Sequence, residues 1–258
     1  MPFLITSRTN PRLKQLRAAL NGQLRLSEGY IGIESEHLLE EALRSGLEVK
    51  SVFLREDRVL PASLILPPTL EVISVAKDAF VSATEAPQGV AALVTPPRHS
   101  PEELLRGKPL IVVTEALQDP GNLGTLIRTA EAFGGTGLVT LSGTVSPWNQ
   151  KALRASAGSA LRLPIIAGDT ATIDLLRRNG VRILAAVPAD GIPATKAGLV
   201  EPCAILLGNE GAGLSASMLG LADERITIPT PGPTESLNAA VAGSILLYEA
   251  ARQRAGEQ

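Results

Sequence analysis

The sequence predicts an α/β protein in which a smaller N-terminal α/β domain precedes a mostly parallel sheet flanked by helices. Two observations support this fold class. In the second half, continuous apolar runs alternate with helical patterns, which is typical of parallel strands covered on both faces. Between the halves, the segment TPPRHSP at 95–101 interrupts every periodic pattern, as a linker does. We therefore expect domains at 1–95 and 109–258, joined by a linker at 96–108.

The N-terminal domain is predicted to alternate helices with strands. A basic helix is expected over 12–26, where four leucines fall close to one stripe. A second helix is expected over 35–45, because Gly46 then ends the helical pattern. Strands are predicted at 30–34, 49–54, 70–75 and 90–94.

The C-terminal domain is predicted to contain six strands and a long final helix. The strands are expected at 109–116, 137–141, 163–167, 181–187, 203–207 and 225–228. The helix is expected over 236–254, where Val241, Ile245 and Tyr248 follow one another at steps of three or four.

Composition excludes several classes of protein. The chain has 258 residues, is 45% hydrophobic and has a mean hydropathy of +0.18, which favours a globular protein over a disordered one. Its one cysteine, Cys203, lies in an apolar run, so we expect a buried, unreactive thiol and no disulfide. Because the sequence has only two histidines, His37 and His99, and one cysteine, we expect no transition-metal site. The start lacks a signal-peptide pattern and no run approaches the roughly 20 apolar residues of a membrane span, so we expect a cytoplasmic protein.

The charge is weakly unfavourable for nucleic-acid binding overall but uneven along the chain. The net charge is −2, whereas nucleic-acid binders usually carry a basic surplus. Two acid-free segments nevertheless contain several cations each, and either could contact phosphates or be a solvated helix face. They are 1–27, with Arg8, Arg12, Lys14, Arg17 and Arg25, and 142–168, with Lys151, Arg154 and Arg162. Only 3% of residues are aromatic, which disfavours an RNA-recognition sheet whose aromatic side chains stack on bases.

Three glycine-containing loops carry the functional signal. They are DPGNLG at 119–124 leading to Arg128, GNEGAG at 208–213, and IPTPGPTESLN at 228–238. Each loop follows an apolar strand and opens onto a helical pattern. Strand ends and helix starts of this kind present backbone amides to one region of space, so the loops predict a cofactor pocket.

The individual residues of these loops leave alternatives open. Arg128 could hold a phosphate or carboxylate, or form a surface salt bridge. The second loop reads G-x-x-G-x-G and follows a late strand, so a dinucleotide-binding fingerprint is a poor match. Glu210 has no packing role within that loop. Ser236 is a good N-cap for the last helix, and Asn238 could turn its amide into the pocket.

The three loops resemble, in order, the sequence motifs of the SpoU-type RNA 2′-O-ribose methyltransferases: N-x-G-x-x-x-R, G-x-E-x-x-G-L and I-P-x-x-G-x-x-x-S-L-N. Here the motifs consist of Asn122, Gly124 and Arg128; Gly208, Glu210, Gly213 and Leu214; and Ile228, Pro229, Gly232, Ser236, Leu237 and Asn238. The N-terminal part, including Asn10-Pro11-Arg12 and Pro87-Gln88-Gly89-Val90, is similar to the family's small L30e-like substrate-binding domain. The chain departs from the family at Ser35-Glu36, where glycine is common after the glutamate, and has additional prolines at 231 and 233.

The resemblance implies a trefoil-knotted, homodimeric enzyme that uses S-adenosylmethionine and no metal. It implies cofactor contacts through the backbone of Gly208, Ile228 and Leu237, where a side chain on Gly208 is expected to reach the cofactor. It also implies a catalytic role for five side chains: Arg128, Asn122, Glu210, Ser236 and Asn238. Arg128 would either activate the ribose hydroxyl as a base or stay charged and stabilise the developing alkoxide.

The substrate that the resemblance implies is RNA. Ribosomal RNA, with a large-subunit guanosine favoured, is preferred to tRNA because of the added N-terminal domain. A non-catalytic RNA-binding or ribosome-assembly factor of the same fold is the alternative, and a nucleotide-dependent oxidoreductase is disfavoured by the missing fingerprint.

Overall fold

The computed structural model describes residues 4–25, 27–85 and 88–256, so the predicted helix end at Leu26 and the motif residue Pro87 lie outside it. The chain folds into two compact units. The first comprises Met1–Pro97 and Trp148–Arg162, and the second comprises Arg98–Pro147 and Leu163–Gln258. The functional roles assigned to 1–95 and 109–258 stay predictions.

The first unit is built on a mixed sheet of five strands in the order β1-β4-β3-β5-β2. Strands β1, β4 and β3 are parallel, and β5 is antiparallel to its neighbours β3 and β2. The strands are β1 (Leu4–Ile5), β2 (Ile31–Glu34), β3 (Val49–Arg55), β4 (Glu71–Val75) and β5 (Val90–Val94), and the helices are α1 (Pro11–Leu20), α2 (Glu36–Arg44) and α3 (Lys77–Val81). The four predicted strands are confirmed, whereas the two-residue β1 and the short α3 are too brief to be visible in the sequence pattern.

Helix α1 is shorter than the pattern predicts. Asn10 caps its first turn by accepting a hydrogen bond from the Arg12 amide, and Pro11 begins the helix with a φ that suits it. The helix ends at Leu20 because Gly22 adopts a left-handed φ of +70°, which starts a turn. The predicted continuation toward residue 26 is therefore wrong.

Residues 148–162 of the second acid-free segment pack within the first unit, although segments of the second unit precede and follow them in sequence. Its helix α5 (Gln150–Ser156) begins with Gln150, whose buried amide donates to the Gly32 carbonyl at 2.8 Å. Arg154 lies 3.7 Å from the buried carboxylate of Glu34, and Arg162 pairs with Glu41. Both arginines are therefore engaged by glutamates of the first unit, which disfavours the expectation that they form a phosphate patch.

The second unit is built on a seven-stranded, fully parallel sheet in the order β10-β12-β9-β11-β6-β7-β8. Its strands are β6 (Leu110–Thr114), β7 (Gly137–Thr140), β8 (Ile165–Ala167), β9 (Arg182–Ala186), β10 (Ile192–Pro193), β11 (Cys203–Leu207) and β12 (Glu224–Thr227). Its helices are α4 (Pro120–Ala132), α6 (Thr170–Arg178), α7 (Ala216–Leu221) and α8 (Ala239–Ala255). The central strands β6 and β11 are buried along their whole length, as continuous hydrophobicity predicts. Strand order and register do not define threading, so the knot stays a prediction.

Helices α4 and α8 pack closely because a glycine lies at their contact. A Cβ on Gly243 would lie 2.3 Å from Leu126 Cδ2 and 2.6 Å from Leu207 Cδ1, so no larger residue fits without displacing them. Ser244 and Thr129 join the two helices through their hydroxyls at 3.1 Å. Helix α8 begins at Ala239, and its N-cap is Asn238, so the prediction of Ser236 as the cap is wrong.

Candidate functional site

The three loops predicted to form a pocket lie at the carboxyl ends of β6, β11 and β12. The structure places 119–124 at the N-cap and first turn of α4, so we call the segment that precedes this helix loop 1 (115–119); the other two are loop 2 (208–215) and loop 3 (228–238). Because all strands of this sheet are parallel, these ends lie at one edge, where ligands of open α/β sheets bind. Loops 1 and 2 are tied together where Glu115 accepts hydrogen bonds from the Ser215 amide at 2.8 Å and its hydroxyl at 2.7 Å.

Loop 2 is a tight turn held by its own backbone. Asn209 and Gly213 exchange two backbone hydrogen bonds of 3.0 Å, and the Asn209 side chain accepts from the amides of Gly211 and Ala212. Its amide nitrogen donates to the Ala116 carbonyl of loop 1 at 2.9 Å. Asn209 therefore shapes loop 2 and anchors it to loop 1.

Gly208 is required by the close approach of the backbone within this turn. A Cβ on Gly208 would lie 2.2 Å from the Gly213 carbonyl carbon and 2.3 Å from the Leu214 nitrogen. Backbone atoms at that distance must move. A Gly208 side chain would therefore first meet the far side of its own loop, and its contact with the cofactor stays a prediction.

Glu210 connects the apex of loop 2 to the start of α4. Its carboxylate accepts hydrogen bonds from the backbone amides of Gln118 at 3.4 Å and Asp119 at 3.2 Å, and from the Asn122 side-chain amide at 3.0 Å. An anion near the N-terminus of a helix is also favoured by the helix dipole. Glu210 is thus a structural acceptor at the junction of two loops.

The carboxyl group of Glu210 is held in its charged form. Partial burial acts to raise its pKa, but the hydrogen bonds from Asn122 and from backbone amides outweigh burial and hold the pKa below its ordinary value of 4.5. A group with a depressed pKa gives up protons readily, so Glu210 is poorly suited to act as a proton acceptor near neutral pH.

Asn238 extends this network to loop 3. Its side-chain oxygen accepts from the amides of Ala240 and Val241 as the N-cap of α8, and its nitrogen donates to the Asn122 oxygen at 3.2 Å. Asn122 in turn donates to Glu210. A continuous chain of side chains, Asn238 to Asn122 to Glu210, therefore joins loop 3 to loop 2 through the first turn of α4, and each amide has its orientation fixed by its partners.

A cavity of about 330 Å³ lies beside this network. The three predicted cofactor-binding residues Gly208, Ile228 and Leu237 all line it, together with Glu210 and Ser236. Leu219 and Leu246 contribute apolar wall, and Glu235 adds a second carboxylate. Cavities of about 300–1,000 Å³ with a few polar groups are typical of small-molecule sites.

The predicted catalytic residues do not all lie at the cavity. Glu210 and Ser236 line it, whereas Asn122, Arg128 and Asn238 do not. Arg128 is exposed on α4, two turns from Asn122, and among the described residues its side chain makes no hydrogen bond or ion pair. A surface salt bridge, the other interpretation of Arg128, is therefore not formed within the described chain.

Sequence reasoning missed several residues of the site. Asp119 caps α4 by accepting from the Asn122 amide at 2.9 Å, and the D-P-x-N spacing before a helical pattern could have indicated it. Asn209, which shapes loop 2, was not singled out from the sequence. The end of β9, with Ala186, Val187 and Pro188, also lines the cavity, and only the strand order places it there.

Cysteine reactivity, metal binding and membrane spanning are the three properties that the composition disfavours. Cys203 is fully buried, and burial raises the pKa of its thiol, as expected of an unreactive cysteine. Among the residues described, no group of three or more metal-ligating side chains is present. Within the same residues, no helix is both long and apolar enough to cross a bilayer.

Comparison with known proteins agrees with the motif resemblance. The model of the SpoU rRNA Methylase family matches residues 109–248, and that of the MRM3-like substrate binding domain matches residues 10–92. The 23S rRNA (guanosine(2553)-2′-O)-methyltransferase RlmP of Bacillus subtilis is 36% identical, over 95% of this chain and 97% of its own. The 23S rRNA (uridine(2479)-2′-O)-methyltransferase of Streptomyces viridochromogenes is 31% identical, over 97% and 92%.

A crystal structure shares the fold across both units. The SpoU methyltransferase AviRb of Streptomyces viridochromogenes, in complex with AdoMet, has a TM-score of 0.85 at 28% identity and covers 95% of this chain and 98% of its own. The matched family model includes all three loops of the site. This chain therefore belongs to the SpoU rRNA methylase family, the RNA 2′-O-methyltransferases that use S-adenosylmethionine.

Proposed function

We propose that this RNA 2′-O-methyltransferase modifies ribosomal RNA, with a large-subunit guanosine as the favoured target, and that it acts as a cytoplasmic homodimer. Both relatives described above are named for 23S rRNA. Their target bases differ, and guanosine is favoured because the guanosine enzyme has the higher identity, 36% against 31%. A tRNA substrate is the second candidate.

The observation that carries this proposal is the hydrogen-bonded chain from Asn238 through Asn122 to Glu210 beside the cavity. A non-catalytic RNA-binding factor would need the fold but not this set of oriented polar side chains. The complete network, with distances of 3.0–3.2 Å between its side chains, therefore favours an active enzyme over an assembly factor.

The volume and the lining of the cavity suit S-adenosylmethionine. We propose that Gly208, Ile228 and Leu237 hold it through backbone groups, since these residues lie on loops 2 and 3 at the cavity wall. Apolar walls suit the adenine ring. The carboxylates of Glu210 and Glu235 complement a ligand that carries a sulfonium and an ammonium group.

When bound, S-adenosylmethionine supplies a methyl group on a positively charged sulfur. The task of the protein is then to align the ribose hydroxyl with that methyl group and to accommodate the proton that the hydroxyl loses. We propose that Arg128 stays charged and stabilises the oxygen as its proton leaves to solvent. The Arg128 side chain is exposed, and its guanidinium carries several N–H donors that could reach that oxygen. Its planar donors also suit a neighbouring RNA phosphate.

The loop network is proposed to position Arg128 through helix α4. Glu210 and Asp119 hold the first turn of α4, and Arg128 follows on the same rigid helix. Packing of Gly243 against Leu126 fixes α4 to α8. Asn122, Glu210 and Asn238 therefore act as positioning residues for Arg128, and Ser236, exposed at the cavity, is available to contact ligand or ribose.

An apolar stripe on α8 supports the homodimer. Val241, Ile245 and Tyr248 stand at i, i+4 and i+7 and are 48%, 38% and 55% exposed, which is unusual for three large apolar residues on one face. Tyr248 also packs edge-on against Phe133 beyond the end of α4, with ring centroids 5.6 Å apart. We propose that this face meets the same face of a second copy.

The substrate is tested with labelled S-adenosylmethionine and three purified RNAs: 23S rRNA, 16S rRNA and bulk tRNA from a strain that lacks the gene. Methyl transfer to 23S rRNA alone, mapped to one guanosine by resistance to alkaline hydrolysis, is the expected result. Transfer to tRNA alone would replace the ribosomal assignment. Cofactor binding without transfer to any of the RNAs would favour the non-catalytic alternative.

A further inference from the structure

Helix α1 of the first unit has one apolar and one polar face. Leu13, Leu16 and Leu20 are buried in the core of the unit. On another side of the helix, Pro11, Lys14, Gln15 and Ala18 follow the i, i+3, i+4, i+7 spacing of a single face. The core contacts of α1 are thus made by its apolar side chains.

A groove of about 490 Å³ follows this polar face. Its lining contains three cations, three amides and one acid, and no aromatic ring. The residues are Pro11, Arg12, Lys14, Gln15, Arg17, Ala18, Asn21, Gln23 and Glu28. A groove of this composition offers many hydrogen-bond donors and little apolar surface.

Several polar side chains of the groove are unused by the fold, whereas Gln15 donates a long hydrogen bond, of 3.5 Å, to the Ser27 carbonyl. Within the described chain, the side chains of Lys14, Asn21 and Gln23 make no hydrogen bond or ion pair, and all three are exposed. Arg17 makes one long hydrogen bond, of 3.4 Å, to the Ser82 carbonyl. Arg12 alone has a carboxylate partner, Glu71. Close cations repel one another, so a cluster with so few acids is better explained by an anionic ligand than by stability.

We propose that this groove, the α1 groove, binds the phosphodiester backbone of the RNA substrate. Lys14 and Arg17 would contact successive phosphates, and the amides of Asn21 and Gln23 would bond ribose hydroxyls or phosphate oxygens. The groove has no ring on which a base can stack, so it positions RNA without reading its sequence. This inference rests on the proposed function, because it assigns RNA as the ligand of an RNA-modifying enzyme.

The test compares two double variants of the full chain that remove the same charge. Lys14→Gln/Arg17→Gln removes two cations from the groove. Lys50→Gln/Arg58→Gln removes two exposed cations of the same unit outside it, whose side chains likewise have no hydrogen-bond or ionic partner among the described residues. Arg12 is left unchanged because its pairing with Glu71 would complicate the result.

Binding is measured by fluorescence anisotropy over a range of salt concentrations, with a labelled single-stranded oligonucleotide of mixed sequence and with a transcript of 23S rRNA. Each lost phosphate contact should flatten the slope of log affinity against log salt by about 0.7–0.9, so the groove variant should lose about 1.5 and bind at least about tenfold more weakly. The control variant should keep the wild-type slope. A third variant, Asn21→Asp, should weaken binding by placing a negative charge in the groove.

Melting temperature and cofactor affinity are measured on every variant, and both should be unchanged. Equal salt slopes for the groove and control variants would overturn the proposal, as would failure of wild-type protein to bind either RNA. If wild type bound RNA with the expected groove dependence but methylated none, the proposed function would fail while the groove assignment stood. Methyl transfer with unchanged slopes would overturn the groove alone.

Discussion

Substitution of Gly208 by alanine tests how loop 2 builds the cavity. A Cβ there would lie 2.2–2.4 Å from three backbone atoms of Gly213 and Leu214, whereas ordinary contact begins at 3.4 Å. The facing backbone must therefore retreat by about 1 Å, a displacement that a packed interior does not absorb freely. Because that backbone lines the cavity, the substitution should deform the site itself.

The expected cost follows from the hydrogen bonds that hold the turn. Retreat of Gly213 would disrupt its two backbone bonds with Asn209, each 3.0 Å long. At about 0.5–1.5 kcal/mol net for each bond, the loss is about 1–3 kcal/mol, the range also typical of overpacking. We therefore expect S-adenosylmethionine to bind about fivefold to about 150-fold more weakly to Gly208→Ala, measured by calorimetric titration.

Gly211→Ala is the matched control because it adds the same methyl group to the same loop. A Cβ at Gly211 would meet only the Asn209 Oδ1 atom, at 3.6 Å, which is ordinary contact. The cofactor affinity of Gly211→Ala should stay within about twofold of wild type, which corresponds to a change of only about 0.4 kcal/mol in binding free energy. If Gly208→Ala bound cofactor as tightly as the control did, with an unchanged melting temperature, the role given to the close approach in loop 2 would be refuted.

Three further predictions concern catalysis, charge and assembly. Arg128→Ala should lower methyl transfer at saturating cofactor by at least about 100-fold, and its melting temperature should be unchanged because the side chain is exposed and unpaired in the described chain. Arg128→Lys should also be severely impaired. Substantial turnover by the alanine variant would remove Arg128 from the mechanism. Because the pKa of Glu210 is lower in the folded than in the unfolded state, ionised Glu210 stabilises the folded state above pH 4.5, and this contribution is lost as pH falls through the folded pKa. The free energy of unfolding of wild type should therefore exceed that of Glu210→Gln by a constant amount above pH 4.5 and by less in more acidic solution. A difference that grew on acidification, measured by chemical denaturation, would contradict this sign. Ile245→Glu should convert the dimer to monomer in analytical ultracentrifugation while cofactor binding shows that each subunit remains folded, and an undiminished dimer would exclude the α8 stripe as the interface.

Much of the fold was accessible from local sequence patterns. Continuous apolar runs predicted the strands of the parallel sheet, because burial on both faces demands hydrophobicity at every position. Glycine, proline and asparagine marked the three loops, since their backbone preferences are local properties. Errors fell at element ends, where α1 stops at Leu20 and α8 starts at Ala239, and these ends depend on one turn and one capping side chain.

The contacts that make the site were decided only by the tertiary structure. Asn122 meets Glu210 across 88 positions of sequence and Asn238 across 116, and no local pattern specifies partners at such separations. Sheet order brings these residues together and also adds the end of β9 to the cavity wall. Likewise, the sequence marks Gly208 as a glycine that matters, but the approach of Gly213 supplies the reason. Residue identity thus determined the chemistry available to this protein, whereas the packing of distant strands determined which groups act together.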